Sequence, residues 1–136
     1  MRKVLSPFEI AVVMTGLRRV QAHLPAPVAS PQSVKLMWED SYETSGTLGS
    51  FHPFRNSGAV LLSTSLREVG DMVVPTACHE LRHVQQYRNM GLLLFLLSSL
   101  PLLRHFTLEK SAWKVERACE KLLGMEGLNS DSIPWL

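Results

Sequence analysis

His79 and His83 stand four residues apart in the run Thr76-Ala-Cys-His-Glu-Leu-Arg-His-Val-Gln-Gln-Tyr87, and that spacing constrains the chain more than any other feature. On a helix, residues four apart are turned by only about 40° and rise by about 6 Å. Both imidazoles can therefore reach one metal ion without bending the backbone. Glu80, one position on, turns away from the metal and toward the place where a metal-held water would sit. The pattern H-E-x-x-H supplies what a hydrolytic zinc site needs: two neutral nitrogen ligands, an open coordination position and a carboxylate to take the water's proton. The flanking Ala77, Cys78, Leu81, Val84 and Tyr87 read as a buried or half-buried helix. No other dense cluster of metal-type residues occurs in the chain.

A length of 136 residues fits one domain, residues 1–136, with a single core. Hydrophobic residues make up 46% and charged residues 19%, which excludes a disordered chain. The net charge of +2 is small and the Lys and Arg residues are scattered, so no nucleic-acid partner is expected. Cys78 and Cys119 are too few for a disulfide framework, and Cys78, facing away from the metal, reads as a small buried filler. Met1-Arg-Lys is basic, but the apolar stretch after it carries Glu9 and has no convincing cleavage site. A cytoplasmic chain is the expectation.

The segment Gly91–Leu103, GLLLFLLSSLPLL, carries no charge over thirteen residues and is bracketed by Arg88 and Arg104. It falls short of the roughly 20 residues that span a bilayer. It predicts a buried core helix or hairpin on the far side of the metal helix. The alternative is an apolar lip that touches a membrane, a partner or a peptide substrate, which would make the chain membrane-peripheral.

Ser6-Pro7-Phe8-Glu9 is a helix start, with Ser as N-cap, Pro at the first position and Glu closing a capping box. The helical period of Ile10, Val13, Met14, Leu17 and Val20 predicts a helix over about 7–23, ended by Pro25 and Pro27. A small sheet is expected over about 33–64. Val34, Leu36 and Trp38 alternate with polar neighbours, Ser45–Phe51 is a weaker strand, and Ala59–Thr64 is the strongest. The metal helix is placed at about 74–89. Pro101 breaks the leucine run, and Thr107 reads as the N-cap of a last helix over about 108–123, closed by Gly124. The tail Met125–Leu136 reads as irregular, with Trp135 a candidate to dock it.

A catalytic zinc keeps three protein ligands. Position 89 is Asn, so a third histidine six residues after His83 is absent; Asp131 lies in the loose tail, and Cys119 lacks a supporting motif. Glu109 is better placed. It opens Leu108-Glu-Lys-Ser-Ala-Trp113, twenty-six residues after His83, with Glu109 and Ala112 on one helical face. The small alanine allows that helix to approach the metal helix closely. Glu116, seven residues after Glu109 and on the same face, is the rival third ligand or a partner for a zinc-bound histidine.

Over residues 58–120 this resembles the gluzincins, the thermolysin-like zinc metallopeptidases with H-E-x-x-H and a later glutamate, and among them the minimal single-domain forms. The resemblance implies an α+β zincin-like fold: a small antiparallel or mixed sheet packed on the H-E-x-x-H helix and a glutamate-bearing helix. It implies Zn²⁺ held by His79, His83 and Glu109, and Glu80 as general base and then acid for water attacking a peptide bond. The partner implied is a peptide or protein substrate, paired along the 59–64 strand as an open edge, over a cleft floor drawn from residues 59–109. Many gluzincins carry an acid where this chain has Trp113. His105 is the first candidate for stabilising the oxyanion, with Tyr87, His52 and Tyr42 behind it and no role for His23. Two other functions remain open: a non-catalytic or latent zincin-fold module serving interaction or assembly, and an amidase or deformylase with a narrower pocket.

Overall fold

The computed structural model describes residues 2–124. It is an α+β protein built on a four-stranded mixed sheet of order β1-β2-β4-β3, where β1 is Arg2–Val4, β2 Leu36–Glu39, β3 Gly49–Phe51 and β4 Val60–Ser63. β1 runs antiparallel to β2, β2 parallel to β4, and β3 antiparallel to β4. The tail from Met125, with Trp135, lies outside the described residues.

Helix α1, Pro7–Val20, begins as its sequence dictates. Ser6 Oγ accepts from the Glu9 amide at 3.1 Å, and the Ser6 amide donates to Glu9 Oε1 at 2.8 Å. Val13, Leu17 and Val20 are its buried stripe. The helix lies close on α3, Val73–Met90, because Gly16 leaves room: a Cβ there would sit 2.8 Å from Val74 Cγ2. Val73, Val74, Ala77, Cys78, Leu81 and Val84 of α3 join Leu36, Val60 and Leu62 of the sheet in one apolar cluster. Arg82, inside the H-E-x-x-H run, ties two segments to α3. Its Nη1 donates to Pro27 O at 2.8 Å and its Nε to Ser111 Oγ at 3.0 Å.

Four expectations need correcting. The 59–64 strand is not an edge: β4 lies between β2 and β3, and Val60, Leu61, Leu62 and Ser63 are all buried, as a strand covered on both faces must be. The weaker Ser45–Phe51 strand shrinks to Gly49–Phe51, because Tyr42–Ser45 forms a short helix, α2, that ends at Gly46 with φ 77°. Thr107 is no N-cap. The chain is already helical from α5, Pro101–Arg104, through a π turn at His105–Glu109 into α6, Lys110–Leu122, and Thr107 Oγ1 donates back to Leu103 O at 2.7 Å. Gly124, with φ 77°, follows the end of α6 as the sequence predicts.

The fourth correction is the leucine run. α4, Leu92–Ser98, and α5 form a helical hairpin whose only buried large side chain is Phe95, among the described residues. Leu93 is 71% exposed and Phe106 72%. Phe95 anchors the hairpin in an aromatic trio, with its ring centroid 6.1 Å from Phe51 and 5.5 Å from Tyr87. Seven helical residues present only one or two side chains to any one neighbour, so a single anchored face leaves the other leucines outward.

Candidate metal centre

α3 and the π turn build the site together. The i, i+4 spacing sets His79 and His83 side by side, with ring centroids 5.0 Å apart. Both are buried, which costs free energy unless their nitrogens find partners. Glu109 arrives from the π turn, its Oε1 lying 3.3 Å from His79 Nε2 and within hydrogen-bond contact of His83 Nε2. The ligand atoms of His79, His83 and Glu109 all lie within 4.8 Å of one another, so the three could hold a metal ion. The donor set fits one: two imidazole nitrogens and a carboxylate oxygen converge, and the remaining ring nitrogens are turned outward.

Those outward nitrogens are held. His83 Nδ1 lies 2.8 Å from Gln86 Oε1, and Gln86 Nε2 donates to Leu108 O at 3.1 Å. The amide's orientation is thereby fixed: its NH₂ faces a carbonyl, so its oxygen accepts Nδ1–H and His83 Nε2 keeps its lone pair for a cation. His79 Nδ1 stands 3.0 Å from Glu116 Oε1, close enough for charge pairing but without the alignment of a good hydrogen bond. Glu116 thus backs His79 from the side away from Glu109, and Trp113 packs edge-on to the His79 ring with centroids 4.6 Å apart. Ala112 is fully buried, and Cys78 and Cys119 bring α3 and α6 together with Sγ atoms 3.6 Å apart. Burial and the Cys119 contact hold the Cys78 thiol well above its usual range, consistent with an inert filler.

Electrostatics records a site built around a positive charge. Burial alone would lower the His79 pKa, but the hydrogen bond to Glu109, the close Glu116 carboxylate and the charge of Glu80 raise it to about 10. Burial would raise Glu109, yet hydrogen bonds from His79 and His83 pull it far below the usual carboxylate range. Glu80 is pushed upward, chiefly by burial.

These residues floor a cleft of about 360 Å³. Within 59–109 its lining includes His79, Glu80, His83, Arg104 and Glu109, but residues 48–51 before that range and Trp113 and Glu116 after it line it too, so the cleft draws on more of the chain than 59–109. β3 passes directly over Glu80, and a Cβ at Gly49 would lie 3.1 Å from both Glu80 Cγ and Oε2. The strand beside the cleft is therefore β3, which pairs only with β4 among the described residues.

Of the candidates for a second electrophile, three lie elsewhere. Tyr87 packs in the aromatic trio, the His52 ring accepts from the Phe54 amide at 3.1 Å, and Tyr42 bonds Ser50 Oγ at 2.6 Å from behind the cleft wall. His105 lies in the π turn, and its side chain is outside the described residues. Sequence reasoning missed Arg104, whose Nη2 is 3.7 Å from Glu109 Oε1 in the cleft wall, and Gln86. Gln86 had a readable signal, standing three residues after His83 on the same helical face. Arg104 was visible only as a charge bounding an apolar run.

The chain matches no protein-family model, no curated protein and no solved structure.

Proposed function

We propose that this chain is a zinc-dependent metallopeptidase of the gluzincin type, with a zincin-like arrangement of sheet, H-E-x-x-H helix and glutamate-bearing helix. The observation that carries this reading is the convergence of His79, His83 and Glu109 beside Glu80 at the bottom of an open cleft. His79, His83 and Glu109 would hold Zn²⁺, which supplies Lewis acidity toward a carbonyl oxygen and toward water. Glu80, with its proton affinity raised by burial, is suited to accept a proton from the attacking water and return it to the leaving amine. Arg104 adds a fixed positive charge at the wall where a carbonyl oxygen would gain charge. β3 offers backbone donors and acceptors along its outer edge for an extended peptide, in the place first assigned to the 59–64 strand. Glu80 lining the cleft weighs against the non-catalytic alternative, since a purely structural metal has no use for it.

Elemental analysis and a peptide-library digest test the proposal together. Wild type should carry about one zinc per chain, Glu109→Gln should lose it, and Glu116→Gln should retain most of it. Glu80→Gln should keep the metal and lose about 10²–10⁴-fold of cleavage. Full zinc in Glu109→Gln, or wild-type cleavage by Glu80→Gln, overturns the assignment.

A further inference from the structure

Apart from Arg104 at its end, the leucine hairpin has no part in the site just described, nor does the outward face of α6 that carries Lys110, Lys114 and Lys121. Leu93, Leu94, Leu97, Leu100, Leu103 and Phe106 are all large, apolar and 47% or more exposed within fourteen residues. So many exposed large apolar side chains in so short a segment mark a docking surface. Two hydroxyls beside it bond back to the chain. Ser99 Oγ donates to Phe95 O at 2.8 Å, and Thr107 Oγ1 reaches Ser98 O at 2.8 Å as well as Leu103 O. Ser99 and Thr107 thus spend their hydroxyls on carbonyls of the chain itself, which lowers the cost of placing them beside hydrocarbon.

Charge points the same way. Between Leu81 and Gly124 the only carboxylates are Glu109, Glu116 and Glu120, of which Glu116 and Glu120 are buried and Glu109 faces the metal centre. Basic residues take the outside: Arg88, Lys110, Lys114 and Lys121 are exposed. Residues 110, 114, 117 and 121 all carry positive charge and fall within about 60° of one another around α6. An apolar patch followed directly by a basic helical stripe is the composition of an interfacial membrane anchor. No helix among the described residues is long and apolar enough to cross a membrane.

We infer that the α4–α5 hairpin inserts its leucines into the interface of an anionic lipid bilayer, with the basic stripe of α6 facing the headgroups. Because Arg104 ends the hairpin and Glu109 follows it, docking brings the cleft to the bilayer surface. On the metallopeptidase reading, the substrates would be peptide segments lying at or emerging from a membrane.

Co-sedimentation of the full chain with phosphatidylcholine vesicles, with and without phosphatidylglycerol, tests this. Wild type should sediment with the anionic vesicles and several-fold less with the neutral ones. Leu93→Glu with Leu94→Glu should lower partitioning by about a hundred-fold, the effect of withdrawing two leucines from lipid. Both positions are exposed, so the fold should survive, checked by circular dichroism, and Leu97→Glu gives a second variant. Lys114→Glu with Lys121→Glu should abolish the preference for anionic vesicles. Binding should be unchanged by a chelator, which separates this inference from the metal reading. It is overturned by absence of wild-type binding, by equal binding of the leucine variants, by loss of binding on chelation, or by a vesicle-free dimer that the leucine variants dissociate, which would assign the patch to a second copy.

Discussion

Gln86 decides which nitrogen of His83 is left for a cation. Its amide spans His83 Nδ1 and the Leu108 carbonyl, linking a ligand on α3 to the residue just before Glu109. A substitution that keeps the volume but removes the polarity should free the imidazole to change tautomer and cut its tie to the Leu108 carbonyl. Gln86→Leu should therefore weaken metal binding by about 10–100-fold while leaving all three ligands in the chain. Competition with a chromophoric chelator would read this directly. Unchanged affinity would mean that Gln86 is packing and nothing more.

β3 is only three residues long, yet it sets the shape of the cleft. Gly49 is needed because its backbone presses on Glu80, and a methyl group there would lie 3.1 Å from the carboxylate. On the metallopeptidase reading, Gly49→Ala should displace Glu80 and cut peptide cleavage by about tenfold or more, since small misplacements of a catalytic group are costly. Metal content should not change, because no ligand is touched. A variant with wild-type cleavage would show that Glu80 tolerates the contact. The His79, His83 and Glu109 cluster was legible in the sequence because the i, i+4 spacing and the E-x-x-A face are local helical signals; α1 and α3 were legible for the same reason, and β4 from its short apolar run. Strand order was not: Val60–Ser63 reads alike as a buried edge or a central strand, and only the long-range pairing with Leu36–Glu39 and Gly49–Phe51 decides. The leucine run misled for the complementary reason. Composition reports apolarity, and only tertiary contact tells which side is covered.

For the molecule as a whole, the candidate metal centre is also a joint. α3 and α6 meet through Ala112, Cys78 and Cys119 on one side and through His79, His83, Glu109 and Glu116 on the other. Without a cation, a proton stands in. His79 has its pKa raised to about 10 in the folded chain, so its stabilising contribution is full below about 6.5, the unfolded value, and is lost as pH rises through about 10. A metal ion must displace that proton, so binding strengthens with pH, by about tenfold per unit where one proton leaves. The two trends offset each other: above about 6.5 the metal-free protein weakens toward alkaline pH, while the loaded protein, whose His79 is unprotonated as in the unfolded chain, holds level. Zinc at a thousand-fold excess over its dissociation constant should add about 4 kcal/mol, enough to raise the melting temperature by on the order of 10 °C. The gap between loaded and chelated protein should therefore widen from pH 6 to pH 9 in scanning calorimetry. A gap that is constant or narrows across that range would show that His79 does not carry the displaced proton, and that the cation sits elsewhere than between these three side chains.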